Sequence, residues 1–188
     1  MKKVILVCGL AFLTISTFAQ TRFLTKNGKI HFDCTTPSSP ESIDGTNDKA
    51  TSIIDAGTGA IEFALLMKAF HFEKALMEEH FNENYVESDK FPKASFKGTV
   101  TNMSSVTLSK DGTYQVTVKG QMTIHGVTKE VSAPGTLTVK GGAITGAKSE
   151  FKITLADFDV TIPSVVKDKV ASQAKITVDL NYQPVAAK

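Results

Sequence analysis

Apolar and polar residues alternate along most of this chain, the period-two pattern of strands with one buried face. Between Gly28 and Cys34, the residues Ile30, Phe32 and Cys34 share one side and Lys29, His31 and Asp33 the other. Thr35 to Lys49 is rich in Ser, Thr, Pro, Asp and Gly without periodicity and predicts a loop. Ala50 to Ala56 predicts a short apolar strand. Gly57-Thr58-Gly59 then turns the chain back into Ile61, Phe63, Leu65 and Met67.

One stretch breaks the alternation. Lys74 to Asn84 contains good helix formers, with Leu76, Met77, His80, Phe81 and Asn84 spaced to share a helical face. Ser88 and Pro92 end that element, and Ala94, Phe96, Gly98 and Val100 resume the strand period. Of the 12 phenylalanines, five fall in this crossover or just after it: Phe70, Phe72, Phe81, Phe91 and Phe96. A β protein that concentrates its aromatic rings in one crossover is expected to use it to cover an opening or plug a core.

The second half carries the clearest strand signals. Asp111-Gly112 is a turn dipeptide, after which Tyr114, Val116, Val118, Gly120, Met122 and Ile124 face one way. His125-Gly126 turns into Val127, Val131, Ala133, Leu137 and Val139, and Gly141-Gly142 into Ala147, Phe151, Ile153 and Leu155. A loop around Ile162-Pro163 leads to Ile176, Val178, Leu180 and Tyr182. The fold class expected is all-β with one α-helix, as about eight antiparallel strands. Closure into a barrel removes exposed edges. Such a barrel can be filled by its own side chains or hold one small ligand.

Composition narrows the class. Lys2 and Lys3, the apolar run Val4 to Phe18, and Thr17-Phe18-Ala19 have the order of a cleavable export signal. That run is too short to span a membrane confidently, which takes about 20 residues. Bulky Val7 before Cys8 argues for cleavage rather than lipid attachment, so no stable membrane anchor is expected. Residues 20–188 then form a single domain, exported to a periplasmic or secreted location. Without Lys2 and Lys3, its Lys and Arg equal its 19 acidic residues. Formal neutrality with no basic run excludes the usual nucleic-acid binder. Cys34 is the sole cysteine after residue 19, which rules out an intrachain disulfide there.

Candidate chemistry is sparse. His71 and His80 are nine residues apart and no H-x-x-x-H or H-E-x-x-H spacing occurs, so no metal is expected. His80 shares the helical stripe and is read as a hydrogen-bonded core residue. His125 reads first as a turn former, with a headgroup contact at the barrel rim as the alternative. Cys34 follows His31 by three residues, an odd spacing that puts them on opposite strand faces. Ser88 and Ser164 lack a G-x-S-x-G setting. Enzymatic activity is not expected.

Two motifs carry a resemblance. Ser88-Asp89-Lys90-Phe91-Pro92-Lys93-Ala94-Ser95-Phe96 is followed by Gly120-Gln121-Met122-Thr123-Ile124-His125-Gly126-Val127-Thr128-Lys129. In that order and at that spacing they resemble the YceI-like family, with weaker similarity from about residue 27 to the C-terminus. The resemblance implies an exported, lipocalin-like antiparallel eight-stranded barrel whose interior binds long apolar chains such as polyisoprenoids. Two segments depart from the family pattern, the apolar Ile61 to Phe72 and the Thr35 to Lys49 loop. Both are placed to line or gate a pocket.

Strand parity, the helical stripe and the phenylalanine-rich crossover nominate Phe32, Phe63, Leu65, Met67, Phe70, Met77, Phe81, Phe96 and Met122 as lumen or mouth residues. The flexible methionines among them suit a chain of variable shape. The expected ligand is a polyisoprenoid or fatty-acyl lipid, with no other cofactor. The alternative is a ligand-free packed barrel serving as a stress-related or protein-interaction module. Cleavage after Ala19 is expected to leave a chain beginning at Gln20. Intact-mass measurement of the exported protein checks this, and retention of residues 1–19 or a lipid-modified cysteine would overturn it.

Overall fold

In the computed structural model, which describes residues 21–185, the alternating segments pair as one antiparallel sheet. The leader expected at residues 1–19 lies outside the described residues. The strands are β1 (Arg22–Thr35), β2 (Asp44–Asp55), β3 (Ala60–Leu66), β4 (Lys93–Val100), β5 (Gly112–Ile124), β6 (Val127–Lys140), β7 (Ala143–Thr154), β8 (Val170–Asn181) and the two-residue β9 (Gln183–Pro184). Neighbours in sequence are neighbours in space. The sheet closes because β1 pairs with β2 on one side and with β8 on the other. β9 adds a short ladder at Phe23 and Leu24. The eight-stranded barrel expected from the alternation is the fold.

Antiparallel order sends the connections alternately to the two ends. At one end lie the 36–43 loop, the long β3–β4 crossover, the His125-Gly126 turn and the β7–β8 connection. The other end has tighter turns and is sealed by Phe23, Ile54, Val100, Leu137, Val139 and Ile144, all buried. Tyr182 and Ser52 lock that end across the closing strands. The Tyr182 hydroxyl lies 2.7 Å from Ser52 Oγ, which donates to the Glu62 carbonyl at 2.9 Å.

Where the observed elements differ from expectation, backbone irregularities explain the difference. β1 begins at Arg22 rather than Gly28. Its inward set changes parity from Phe23 and Thr25 to Gly28, Ile30, Phe32 and Cys34 across a bulge at Lys26-Asn27. β2 likewise begins at Asp44, inside the stretch read as loop, so only residues 36–43 connect the two strands. Its inward positions there are Gly45 and Asn47, which carry no apolar signal. Asn47 is fully buried and satisfied: its amide donates to the Leu66 carbonyl at 2.9 Å, and its Oδ1 accepts from Lys49 N–H at 2.9 Å. Polar satisfaction of this kind is what makes a buried amide tolerable.

The helix is also shorter than its sequence pattern. α1 spans Ala75–His80, and the chain then widens so that Val86 N–H reaches the Phe81 carbonyl five residues back, at 3.0 Å. A wide turn inserts one residue into the helical repeat and rotates the following face. Phe81 and Tyr85 face the core, while His80 and Leu76 are exposed. The reading of His80 as a core histidine is therefore incorrect.

Close backbone approach is built in at one place on the wall. Gly98 and Gly120 lie opposite each other on β4 and β5, and the Phe96 ring covers both. A Cβ at Gly120 would stand 2.4 Å from both the Gly98 Cα and the Lys97 carbonyl oxygen, and 2.8 Å from that ring. Gly120→Ala is expected to destabilise the fold by about 1–3 kcal/mol, the usual cost of overpacking. Urea unfolding measures it, and an unchanged midpoint would remove the close approach of β4 and β5 at Gly98 and Gly120 as a constraint.

Candidate functional site

The barrel interior is not filled by its own side chains. A cavity of about 490 Å³ runs between the sealed end and the crossover. Ligand pockets of small-molecule binders occupy about 300–1,000 Å³, so the packed-barrel premise fails on volume. Its wall is made by inward positions of β1 and β3 to β8, and its lid by the crossover.

All nine residues nominated from the sequence border this cavity. Phe63 and Leu65 come from β3, Phe96 from β4, Met122 from β5 and Phe32 from β1. Met67, Phe70, Met77 and Phe81 come from the crossover. Strand parity explains the first group, since alternate residues of a closed sheet converge on its axis. Phe96 is half-buried, facing the cavity rather than sealed in the core.

The lid is an aromatic cluster. Phe32 stacks on Phe81 with ring centroids 5.2 Å apart, and Phe70 meets Phe32 edge-on at 5.3 Å. Phe72 joins through Phe32 at 5.6 Å and Phe81 at 5.0 Å. Pairs in such geometries contribute about 0.5–1.5 kcal/mol beyond area burial. Gly45 makes room for them: a Cβ there would lie 2.8 Å from the Phe32 ring and 3.0 Å from Phe72. Phe72 was absent from the nominated set. Its sequence signal is the parity it shares with Phe70, and in the fold His71 between them bridges to Thr46 by two backbone hydrogen bonds.

The mouth is more polar. Pro40, Glu41 and Ile43 from the 36–43 loop, His80 from α1, and Val166 and Lys169 from the β7–β8 connection reach the cavity rim. Both segments flagged as departures from the family pattern do line it. Lys74 on the crossover pairs with Glu41 on the loop across the mouth. Both partners are substantially exposed, so the pair adds little stability.

His125 does more than form its turn. The turn itself is as expected, with positive φ at His125 (50°) and Gly126 (76°). Its Nε2 lies 2.9 Å from Glu87 Oε2, its Nδ1 lies 3.2 Å from the Phe158 carbonyl, and Phe91 packs edge-on at 4.5 Å. Each ring nitrogen therefore sits beside an acceptor oxygen. The Lys90 ammonium and then His125 hold the Glu87 carboxyl below its ordinary range. His125 thus ties the crossover to the β7–β8 connection behind the mouth, a role the turn pattern alone did not reveal.

Among the described residues, no group of three or more His, Cys, Asp or Glu side chains is arranged to hold a metal. His31 lies on the outer face, with Nδ1 3.1 Å from Thr46 Oγ1, while Cys34 points into the core. Thiol and imidazole do not meet.

A family model, the YceI-like domain, matches residues 13–182. The chain belongs to the YceI-like family. No curated protein matches the sequence. Similar solved structures include a polyisoprenoid-binding domain from Saccharophagus degradans implicated in plant cell wall breakdown, at TM-score 0.73 and 12% identity, covering 88% of this chain and 99% of that one. BcnA of Burkholderia cenocepacia follows at TM-score 0.65 and 15% identity, with 83% and 96% coverage. A YceI protein of Campylobacter jejuni gives 0.51 and 13%, with both chains fully covered. At these identities the likeness establishes the shared barrel.

Within this YceI-like barrel, Cys34 reports on the interior. Burial pushes its thiol up to about 12, with the Asp33 carboxylate adding to the shift. The neutral thiol favours the fold, so its contribution is present below the ordinary thiol range and fades as pH rises toward about 12. The native protein at pH 8 therefore holds less thiolate than the unfolded chain. Iodoacetamide labelling of Cys34 is expected to be slower than in urea by at least about tenfold, the factor carried by one pKa unit. Equal rates, followed by mass spectrometry, would contradict burial of the thiol.

Proposed function

We propose that this protein is an exported, non-enzymatic binding protein that holds an apolar chain, polyisoprenoid or fatty-acyl, in the barrel lumen. The observation carrying this reading is the unfilled apolar cavity of about 490 Å³ beneath a phenylalanine lid. Membership of the YceI-like family supports it, as does likeness to a domain described as polyisoprenoid-binding. Each methylene moved from water into such a lumen contributes about 0.8 kcal/mol. An apolar interior therefore binds a long chain without any charged recognition site. Export rests on the order of basic, apolar and small residues across residues 1–19.

Titration with a fluorescent fatty acid and a fluorescent isoprenoid tests the reading. Phe70→Ala is expected to weaken binding about tenfold, or about 1.4 kcal/mol. Lys119→Ala, on the outer wall in an ion pair with Glu130, should leave affinity unchanged. Thermal unfolding of both variants separates lost affinity from lost fold. Binding should persist at 1 M salt, where the Debye length is about 3 Å, and in the presence of a chelator. A tenfold loss on adding salt or chelator would instead indicate a charged or metal-bound headgroup site.

A further inference from the structure

One hydroxyl in the lumen wall has no protein partner. The chain has three tyrosines, and two of their hydroxyls are held. Tyr114 donates to the Thr107 and Lys110 carbonyls at 3.0 and 2.7 Å, and the Tyr182 oxygen lies 2.7 Å from Ser52 Oγ. Tyr85, at the end of the wide turn Phe81–Tyr85, makes no side-chain hydrogen bond to any described residue. A tyrosine hydroxyl withdrawn from water ordinarily finds such a partner.

That hydroxyl belongs to the cavity. Tyr85 is half-buried and lines it together with Val86. Burial pushes the phenol pKa above its ordinary value, and the Cys34 thiol adds to the shift. Cys34 points into the core and borders the same cavity, so the phenol oxygen stands within electrostatic reach of a lumen sulfur. A phenol raised above the ordinary range is protonated at neutral pH and donates its hydrogen.

Other polar groups around the cavity are engaged or stand outside it. Ser149 Oγ donates to the Pro134 carbonyl at 2.6 Å, and the Lys148 ammonium pairs with Asp179 on the outer wall at 3.0 Å. Ser95 and Thr136 lie on the outward parity of β4 and β6. Glu41 pairs with Lys74, and His80 and Lys169 are exposed at the rim. Within the lumen this leaves the Tyr85 hydroxyl and the Cys34 thiol, which is only a weak donor.

The local charge selects the acceptor. Glu73, Glu78, Glu79, Glu83 and Glu87 flank Tyr85 on the crossover, and Lys74 is the one Lys or Arg between Glu73 and Glu87. The interior beside Tyr85 also disfavours a negative charge, since it pushes the Cys34 thiol up to about 12. An anionic end group would meet both penalties, and a neutral oxygen meets neither.

We propose that Tyr85 is the hydrogen-bond donor that anchors the end group of the lumen's ligand, and that this end group is an uncharged oxygen acceptor: an alcohol, aldehyde or ester rather than a carboxylate or phosphate. This deepens the reading of the lumen as a lipid site and rests on it. The apolar walls hold the chain, and the phenol sets which of its ends lies beneath the crossover.

The test is displacement of a bound fluorescent isoprenoid by decanol, decane and decanoate, from the full chain and from Tyr85→Phe. That substitution keeps the ring and removes the hydroxyl. It should weaken decanol about tenfold and leave decane, which has no acceptor, unchanged. In the unsubstituted protein decanol should displace the isoprenoid at lower concentration than decanoate does. Equal effects of Tyr85→Phe on decanol and decane, or isoprenoid binding that decanol does not displace, would overturn the anchor while leaving the lumen as a lipid site. Tighter binding of decanoate than of decanol would overturn the uncharged end group. Failure of the isoprenoid itself to bind would overturn the lipid reading and the anchor with it. Thermal unfolding without ligand gives a second check. Tyr85→Phe should leave Tm unchanged or raised, because it removes a hydroxyl that no protein group pairs with. A marked fall in Tm would reveal a structural partner and overturn the anchor.

Discussion

The double pairing of β1, with β2 on one side and β8 on the other, is the constraint on which the rest depends. A sheet with alternating faces must bury its apolar side, and an open sheet leaves edge amides and carbonyls unpaired. Closure removes both problems at once. It also sends every second residue of eight strands toward one axis, where interior volume and side-chain volume need not match. Here they do not match. The mismatch is the cavity, and alternation has already made its walls apolar.

Why the cavity lies toward one end follows from connection length. The longest connection at the sealed end is 101–111, far shorter than the crossover, and buried side chains from neighbouring strands meet there. The opposite end receives the long crossover, which cannot fill a circular opening with a helix of only six residues. Phenylalanines do that work. Several ring contacts at about 0.5–1.5 kcal/mol each outweigh the exposed Lys74–Glu41 pair, worth about 0–1 kcal/mol. The lid is therefore held by packing, and an apolar ligand meets a surface of its own kind.

Strain gathers behind the mouth. Glu87, His125 and Asp159 are the described non-glycine residues with positive φ, at 43°, 50° and 55°. Such conformations cost on the order of 1–3 kcal/mol each and persist where surroundings hold them. His125 supplies that hold, reaching Glu87 directly and the Phe158 carbonyl next to Asp159. One imidazole thus fixes the crossover, the β5–β6 turn and the Leu155–Phe158 turn in one arrangement.

Much was written in the one-dimensional pattern. Alternation of Tyr114, Val116, Val118 and Met122, and of Ile176, Val178 and Leu180, determined strands, their buried faces and the antiparallel barrel. The same parity placed Phe63, Leu65 and Phe96 on the lumen before any contact was known, because a two-residue period has only two outcomes. What the pattern could not carry were features that break a period or join distant segments. The bulges at Lys26-Asn27 and near Asp48 switch parity, so the first turns of β1 and β2 looked irregular. The wide turn after His80 rotated the helical stripe and left that histidine outside. The contact of His125 with Glu87, 38 residues away, has no sequence period at all. Whether eight strands enclose a filled core or a hollow depends on summed volumes and on how the connections close the two ends. Those quantities exist only once the chain has closed in three dimensions.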